Sequence, residues 1–195
     1  MTTEAPATTR TVDGRLVPAV GHWTLDPSHS RIEFIARHLM VTKVRGAFKD
    51  FSGSFDVAED PTASTLSVDV DLISVDTGAE DRDNHLRSPD FFDLENHPQM
   101  TFRSTGLSPA GDAWKLSGDL TIKGVTKPVT LDMEFLGVAA DPWGNAKAAF
   151  SAIGEIARED FGVTWNVPLE GGGVLVSKKI KIEIEAQAVM ATDEG

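Results

Sequence analysis

Lys179-Ile-Lys-Ile-Glu-Ile-Glu-Ala-Gln-Ala188 decides the fold. Ile180, Ile182, Ile184, Ala186 and Ala188 take every second position, and Lys179, Lys181, Glu183, Glu185 and Gln187 take the others. Side chains of a strand point alternately to its two faces, so this stretch is a strand with one dry face and one wet face. Leu66-Ser-Val-Asp-Val-Asp-Leu72 repeats the pattern, as do Val129, Leu131, Met133 and Phe135 alternating with Thr130, Asp132 and Glu134. Weaker alternation covers 31–38, 42–48, 51–57, 99–107, 113–122 and 148–157. Strands wet on one face belong to antiparallel sheets. Turn residues separate them at Asp50, Ala110-Gly-Asp112, Lys123-Gly124, Asp141-Pro-Trp-Gly144 and Gly171-Gly-Gly173. Neighbouring strands joined by short turns form a meander, and a long meander removes its exposed edges by closing into a barrel.

The expectation is one all-β domain over residues 21–190, with a flexible N-terminal tail over 1–20 and a polar fray over 191–195. Met1–Gly21 is rich in Thr, Ala and Pro, and it lacks the basic start and apolar run of a secretory signal. A soluble, cytoplasmic protein is therefore expected. One segment departs from strand periodicity. Thr77-Gly-Ala-Glu80 has the spacing of a capping box, which opens a short polar helix that ends before Ser88-Pro89. Its only apolar residues are Ala79 and Leu86, so its anchor must be Leu86 together with Phe91 and Phe92. Such a helix suits a cap over one end of a barrel, or a surface connection between strands.

The chain has 195 residues, no Cys, no Tyr and a formal net charge of −12. Without Cys it has no disulfide, thiolate nucleophile or Cys-ligated metal. Net negative charge argues against a nucleic-acid backbone or an anionic membrane surface as the main partner. The charge is uneven: Asp56–Glu95 holds 12 acidic residues against Arg82 and Arg87, whereas Arg31–Lys49 holds five basic residues and only Glu33.

His29, His38, His85 and His97, with Asp26, Asp81 and Asp83, are the residues a metal could use, but their spacings match no ligand pattern. Ser52-Gly-Ser54 lies inside a strand pair and forms no nucleophile elbow. Asp81/Asp83 and Asp90/Asp93 sit in a solvated acidic stretch with no apolar pocket to raise a carboxyl pKa. What remains is the inside of the barrel, either a filled core or a lumen that holds one apolar ligand.

A family likeness rests on motifs in order along the chain: Trp23-Thr-Leu-Asp-Pro-Ser-His-Ser30, Ile32-Glu-Phe34, Arg45-Gly-Ala-Phe48, Asp71-Leu-Ile-Ser-Val-Asp-Thr-Gly78, Arg82-Asp-Asn-His-Leu-Arg-Ser88, Asp90-Phe-Phe-Asp93, Gly118–Val129 and Arg158-Glu-Asp-Phe-Gly162. Across about residues 22–189 the chain resembles the YceI-like family. The resemblance implies an extended, lipocalin-like antiparallel barrel of eight strands, with a short helix near one end. It also implies lumenal binding of a polyisoprenoid or other long-chain lipid, no catalytic activity, no cofactor, and a homodimer. Many members are periplasmic and carry a signal peptide, from which this N-terminus departs.

On that reading Phe34, Phe48, Leu131, Met133, Phe135 and Phe150 line the lumen, and Leu86, Phe91 and Phe92 line or gate the helix end. Arg82, His85 and Arg87 contact a head group or make ion pairs that fix the helix, and Trp143 and Trp165 sit on loops around a mouth. Two other readings stand beside it: a metal-assisted enzyme using the His and Asp residues, and a filled barrel acting through its surface.

Overall fold

Every stretch with clear alternation is a strand, and together these strands close. The computed structural model describes residues 8–191; residues 192–195 of the expected fray and the first seven residues of the expected tail lie outside the described residues. The first strand of the barrel is bent: β3 (Gly21–Leu25) and β4 (Arg31–His38) are separated by a 3-10 turn at Pro27–His29. They pair antiparallel with β6 (Phe51–Val57) and β5 (Thr42–Phe48), so the two broken strands form one long hairpin. The meander continues through β7 (Thr65–Asp71), β9 (Gln99–Ala110), β10 (Ala113–Ile122), β11 (Val125–Ala140), β12 (Ala146–Ala157) and β13 (Lys179–Met190), and β8 (Val75–Asp76) pairs with the end of β5. The barrel closes where β13 pairs with β3 through Ala188–Met190 and with β4 through Lys181–Glu185. With β3/β4 and β5/β6 each counted as one, this is a closed antiparallel barrel of eight strands.

A bulge keeps the inward face of β11 apolar. The register shifts between Phe135 and Gly137, whose φ of 119° is open to glycine, and Leu136 is turned out to solvent at 55% exposure. Gly46 serves the interior in another way. A Cβ there would lie 2.3 Å from the Phe34 ring, so the absence of a side chain is what lets Phe34 lie flat across the strand.

Three expectations need correction. Residues 9–18 are not a flexible tail. Thr9–Val12 (β1) and Arg15–Pro18 (β2) form a hairpin, turning at Asp13 and Gly14 with φ of 49° and 77°. Val17 and Ala19 are buried, and Ala19 packs with Trp23, Val57, Ala148 and Ala188. The helix α1 spans Glu80–Arg87 as expected, but its N-cap is Ala79 and makes no side-chain cap bond. Thr77 instead donates from its backbone N and its Oγ1 to Asp83 Oδ1 at 2.9 and 2.6 Å. Asp83 is buried, not solvated, because it receives these two donors. A carboxylate can leave water at small cost when it is hydrogen-bonded in this way.

Candidate ligand-binding cavity

The inward faces of the strands do not meet. They enclose a cavity of about 320 Å³ that runs from the β1–β2 hairpin to α1. Close-packed interiors leave few voids larger than a water molecule, so this barrel is not a filled core. Its volume lies within the range of small-molecule sites.

The wall includes all nine residues assigned to the lumen and the helix end: Phe34, Phe48, Leu131, Met133, Phe135, Phe150, Leu86, Phe91 and Phe92. Their placement follows from the register. Phe34 lies across from Gly46 and from Ile182, and Phe135 faces Phe150 with ring centroids 5.3 Å apart. Leu86, Phe91 and Phe92 reach the wall because the chain after α1 folds back on the helix, with Phe92 N donating to Leu86 O at 3.0 Å. Phe92 then meets Phe48 edge-on at 5.9 Å, which ties the helix corner to the barrel interior. Val44, on the same face of its hairpin, is not part of the wall.

Arg82, His85 and Arg87 do not line the cavity. Their donors are spent on the chain that carries α1. Arg82 donates from Nε to Thr77 Oγ1 at 2.7 Å and from Nη2 to Thr77 O at 2.9 Å. Arg87 donates to Ile73 O, Val75 O and Asn84 Oδ1. His85 shares a hydrogen bond with Asp90 at 2.9 Å and lies edge-on to Phe91 and Trp165. The expected helix-fixing ion pairs need correction: Arg82 and Arg87 hold the helix through hydrogen bonds to neutral oxygens, and of the three only His85 meets an acid, Asp90, among the described residues. Trp165 covers Phe91 from outside at 5.3 Å, and Trp143 stands 83% exposed on the β11–β12 turn; neither is a wall residue.

The histidines and aspartates are dispersed. His22 pairs with Asp56, His29 with Asp26 and His85 with Asp90, and His97 lies against Gly124. No group of three or more His, Cys, Asp or Glu is arranged to hold a metal ion among the described residues. Asp26 has a structural task. It caps the 3-10 turn by accepting from Ser28 N at 3.1 Å, and it receives Lys147 Nζ at 2.8 Å, with both charged groups largely buried. The bonds from Lys147 and Ser28 hold its carboxyl well below the usual carboxylate range. On the outside of β13, Glu183 is held at about 2 by Lys181 and Arg45.

Sequence reading missed part of the wall at each end, although Leu86, Phe91 and Phe92 were assigned to the helix end. Val17 and Pro18 contribute from the β1–β2 hairpin at one end. At the other, Arg158, Phe161 and Val163 contribute from the 3-10 turn after β12 and the residues that follow it. The signal for Arg158 was present: Phe150, Ala152, Gly154, Ile156 and Arg158 are successive members of one alternating series, the first, second and fourth of them in the wall. Its guanidinium donates from Nε to Ser177 O at 3.0 Å and from Nη1 to Val163 O at 2.8 Å.

Comparison with known proteins agrees with this architecture. The sequence model of the YceI-like domain matches residues 23–188. A UPF0312 protein of Pectobacterium atrosepticum is 44% identical over 137 residues, covering 70% of this chain and 71% of the relative. The crystal structure of a Campylobacter jejuni YceI protein is 35% identical, covers 80% of this chain and 90% of that one, and superposes with a TM-score of 0.67. A polyisoprenoid-binding domain from Saccharophagus degradans shares the fold at 15% identity, over 89% of this chain and all of its own length, with a TM-score of 0.61. With the motifs, the closed barrel and the matched span in agreement, the chain belongs to the YceI-like domain family.

Proposed function

We propose that this protein binds a long-chain, isoprenoid-like lipid in the barrel lumen and carries or sequesters it without changing it chemically. The observation that carries the reading is the cavity itself, a void of about 320 Å³ walled almost wholly by apolar side chains and bordered at one end by Leu86 of α1 and at the other by Val17 and Pro18 of the hairpin. Apolar cavities of this kind stay dry and take apolar guests. The likeness of the fold to a polyisoprenoid-binding domain supports the same ligand class. Burying about 400 Å² of prenyl chain at about 25 cal/mol per Å² gains on the order of 10 kcal/mol. Ordering the chain and losing overall freedom takes back a large part, which still leaves micromolar or tighter binding within reach.

Trp114 lines the cavity and is 6% exposed, so its emission reports on the lumen. Titration with a tetraprenyl alcohol is expected to change that emission saturably, at one ligand per chain. Met133→Trp, which fills the lumen from β11, is expected to weaken binding by about tenfold or more. Asp132→Asn, one residue along on the outer face, is expected to leave it unchanged. Absence of saturable binding, or equal affinity in both variants, contradicts the reading.

A further inference from the structure

The tip that joins β4 to β5 is strained and apolar at the same residues. Leu39 and Met40 are the central residues of the turn His38–Val41, which Val41 N closes by donating to His38 O at 3.1 Å. Their φ values of 53° and 61° lie in the left-handed region, where Gly and Asn fit and longer side chains are strained. Leu39, Met40 and Val41 are also 46%, 50% and 74% exposed. Leu39 N donates to Leu175 O at 2.8 Å and Leu175 N to Val167 O at 2.9 Å, which sets exposed Val167 beside the tip. An Asn-Gly turn would close the same hairpin with less strain and with no apolar surface in water. Folding alone therefore gives no reason for these side chains, and a strained turn of this kind points to a task outside the fold.

The basic stretch Arg31–Lys49 runs through this tip. Arg45 and Lys49 are paired, with Glu183 and Asp76. Arg37 and Lys43 face each other across the hairpin, like charge against like, and the only acceptor of the Arg37 guanidinium is the neutral Val41 O at 3.5 Å. Neither pairs with an acid among the described residues. The adjacent loop adds one exposed acid, Glu170, which leaves the local balance positive. We propose that the β4–β5 tip docks the protein on an anionic lipid bilayer, with Leu39, Met40 and Val41 in the interface and Arg37 and Lys43 against acidic head groups. Apolar side chains inside a basic rim are the chemistry of peripheral membrane contact. The net charge of −12 opposes a broad contact but not a local one, because charges beyond about 8–10 Å are screened at physiological salt. A second copy of the chain fits less well. Four apolar residues fall far short of the roughly 20–30 a side of a stable interface, and two-fold pairing would set Arg37 and Lys43 against their own copies. A peptide finds no groove on so exposed a turn. His38 bridges to the wall residue Val176, so docking turns this end of the cavity toward the bilayer. The inference stands on the tip alone and goes beyond the lumenal reading.

The test is co-sedimentation of the whole protein with vesicles of phosphatidylcholine alone, or of phosphatidylcholine and phosphatidylglycerol in equal parts. Binding to the anionic vesicles is expected to be about tenfold or more tighter, and the difference to vanish at molar salt. Arg37→Gln with Lys43→Gln is expected to remove the preference for anionic vesicles. Leu39→Asn with Met40→Gly is expected to weaken binding by about tenfold or more while melting at the same temperature or higher, because it relieves the turn. The chain has no Cys, so Val41→Cys and Trp143→Cys each give one site for an environment-sensitive fluorophore. The label at residue 41 is expected to shift to the blue on anionic vesicles and the label at residue 143 to stay unchanged. Failure to bind, equal binding of both vesicles, or a shift at residue 143 alone overturns the proposal. So does a Leu39→Asn, Met40→Gly variant that binds like the unaltered protein. A dimer in solution that this variant converts to monomers, with no vesicle binding, overturns it too and assigns the tip to a second copy.

Discussion

Asp26 shows how much one carboxylate can organise. It stops β3, caps the 3-10 turn that bends the first strand of the barrel, and holds Lys147 of β12. Lys147 and Ser28 depress its pKa in the folded protein. A group with a depressed folded pKa stabilises the fold above its unfolded value, and this contribution is lost as pH falls through the folded value. Asp26→Asn is therefore expected to cost about 1–2 kcal/mol near neutral pH. The gap from the unaltered protein should narrow once pH drops below about 4, where the unfolded carboxyl takes up its proton. Urea unfolding across a pH series measures it, and a gap that stays constant to low pH contradicts this role. The sequence motif around Asp26 was readable as a family likeness, but its task was not, because Lys147 lies 121 residues away and only the barrel brings the two together. Thr77 has a similar history. Its spacing to Glu80 pointed to a capping box, yet it bonds Asp83, one turn further on and buried.

At the scale of elements, strands with a dry face and a wet face were legible throughout, because half-burial writes itself into period two. β7, β11 and β13 fall where the alternation places them. The β1–β2 hairpin did not read this way. Each strand has only four residues, and of the neighbours Leu16 and Val17 one is 53% exposed and the other 3%. Asp13-Gly14 was the available signal, since that pair favours the tight turn found in hairpins. The hairpin closes one end of the cavity through Val17 and Pro18. Val17→Asp places an unpaired carboxylate in that closure, which costs several kcal/mol if the hairpin stays docked. The hairpin is expected to release instead. The observable results are amide exchange in residues 9–18 that rises to the level of an open loop, and dissociation of a bound prenyl probe that is faster by about tenfold, with its association still detectable. Unchanged exchange and dissociation contradict a closing role.

At the scale of the whole molecule, the alternation said which face of each strand is apolar and was silent on whether the enclosed space is filled. Filling depends on how far apart eight inward faces stand and on side chains that cross between them, such as Phe34 over Gly46. These are properties of barrel closure, not of any one strand. Six of the nine wall residues were readable one strand at a time and Leu86, Phe91 and Phe92 as the apolar anchor of α1, whereas Val17 and Pro18 sit in a strand of four residues, too short for period two to show. The acidic stretch 56–95 likewise resolves into local arrangements. Asp69 pairs with Arg103, Asp83 holds Thr77 and Asp90 meets His85, and none of these three acids faces the cavity. The central claim is that the lumen is built to be occupied. Native mass spectrometry of the protein taken gently from the cells that make it tests this most directly. The account predicts a one-to-one adduct with the mass of a long-chain lipid, which Met133→Trp reduces or abolishes. A spectrum of the bare chain alone, unchanged after incubation with a tetraprenyl acid or alcohol, would contradict it.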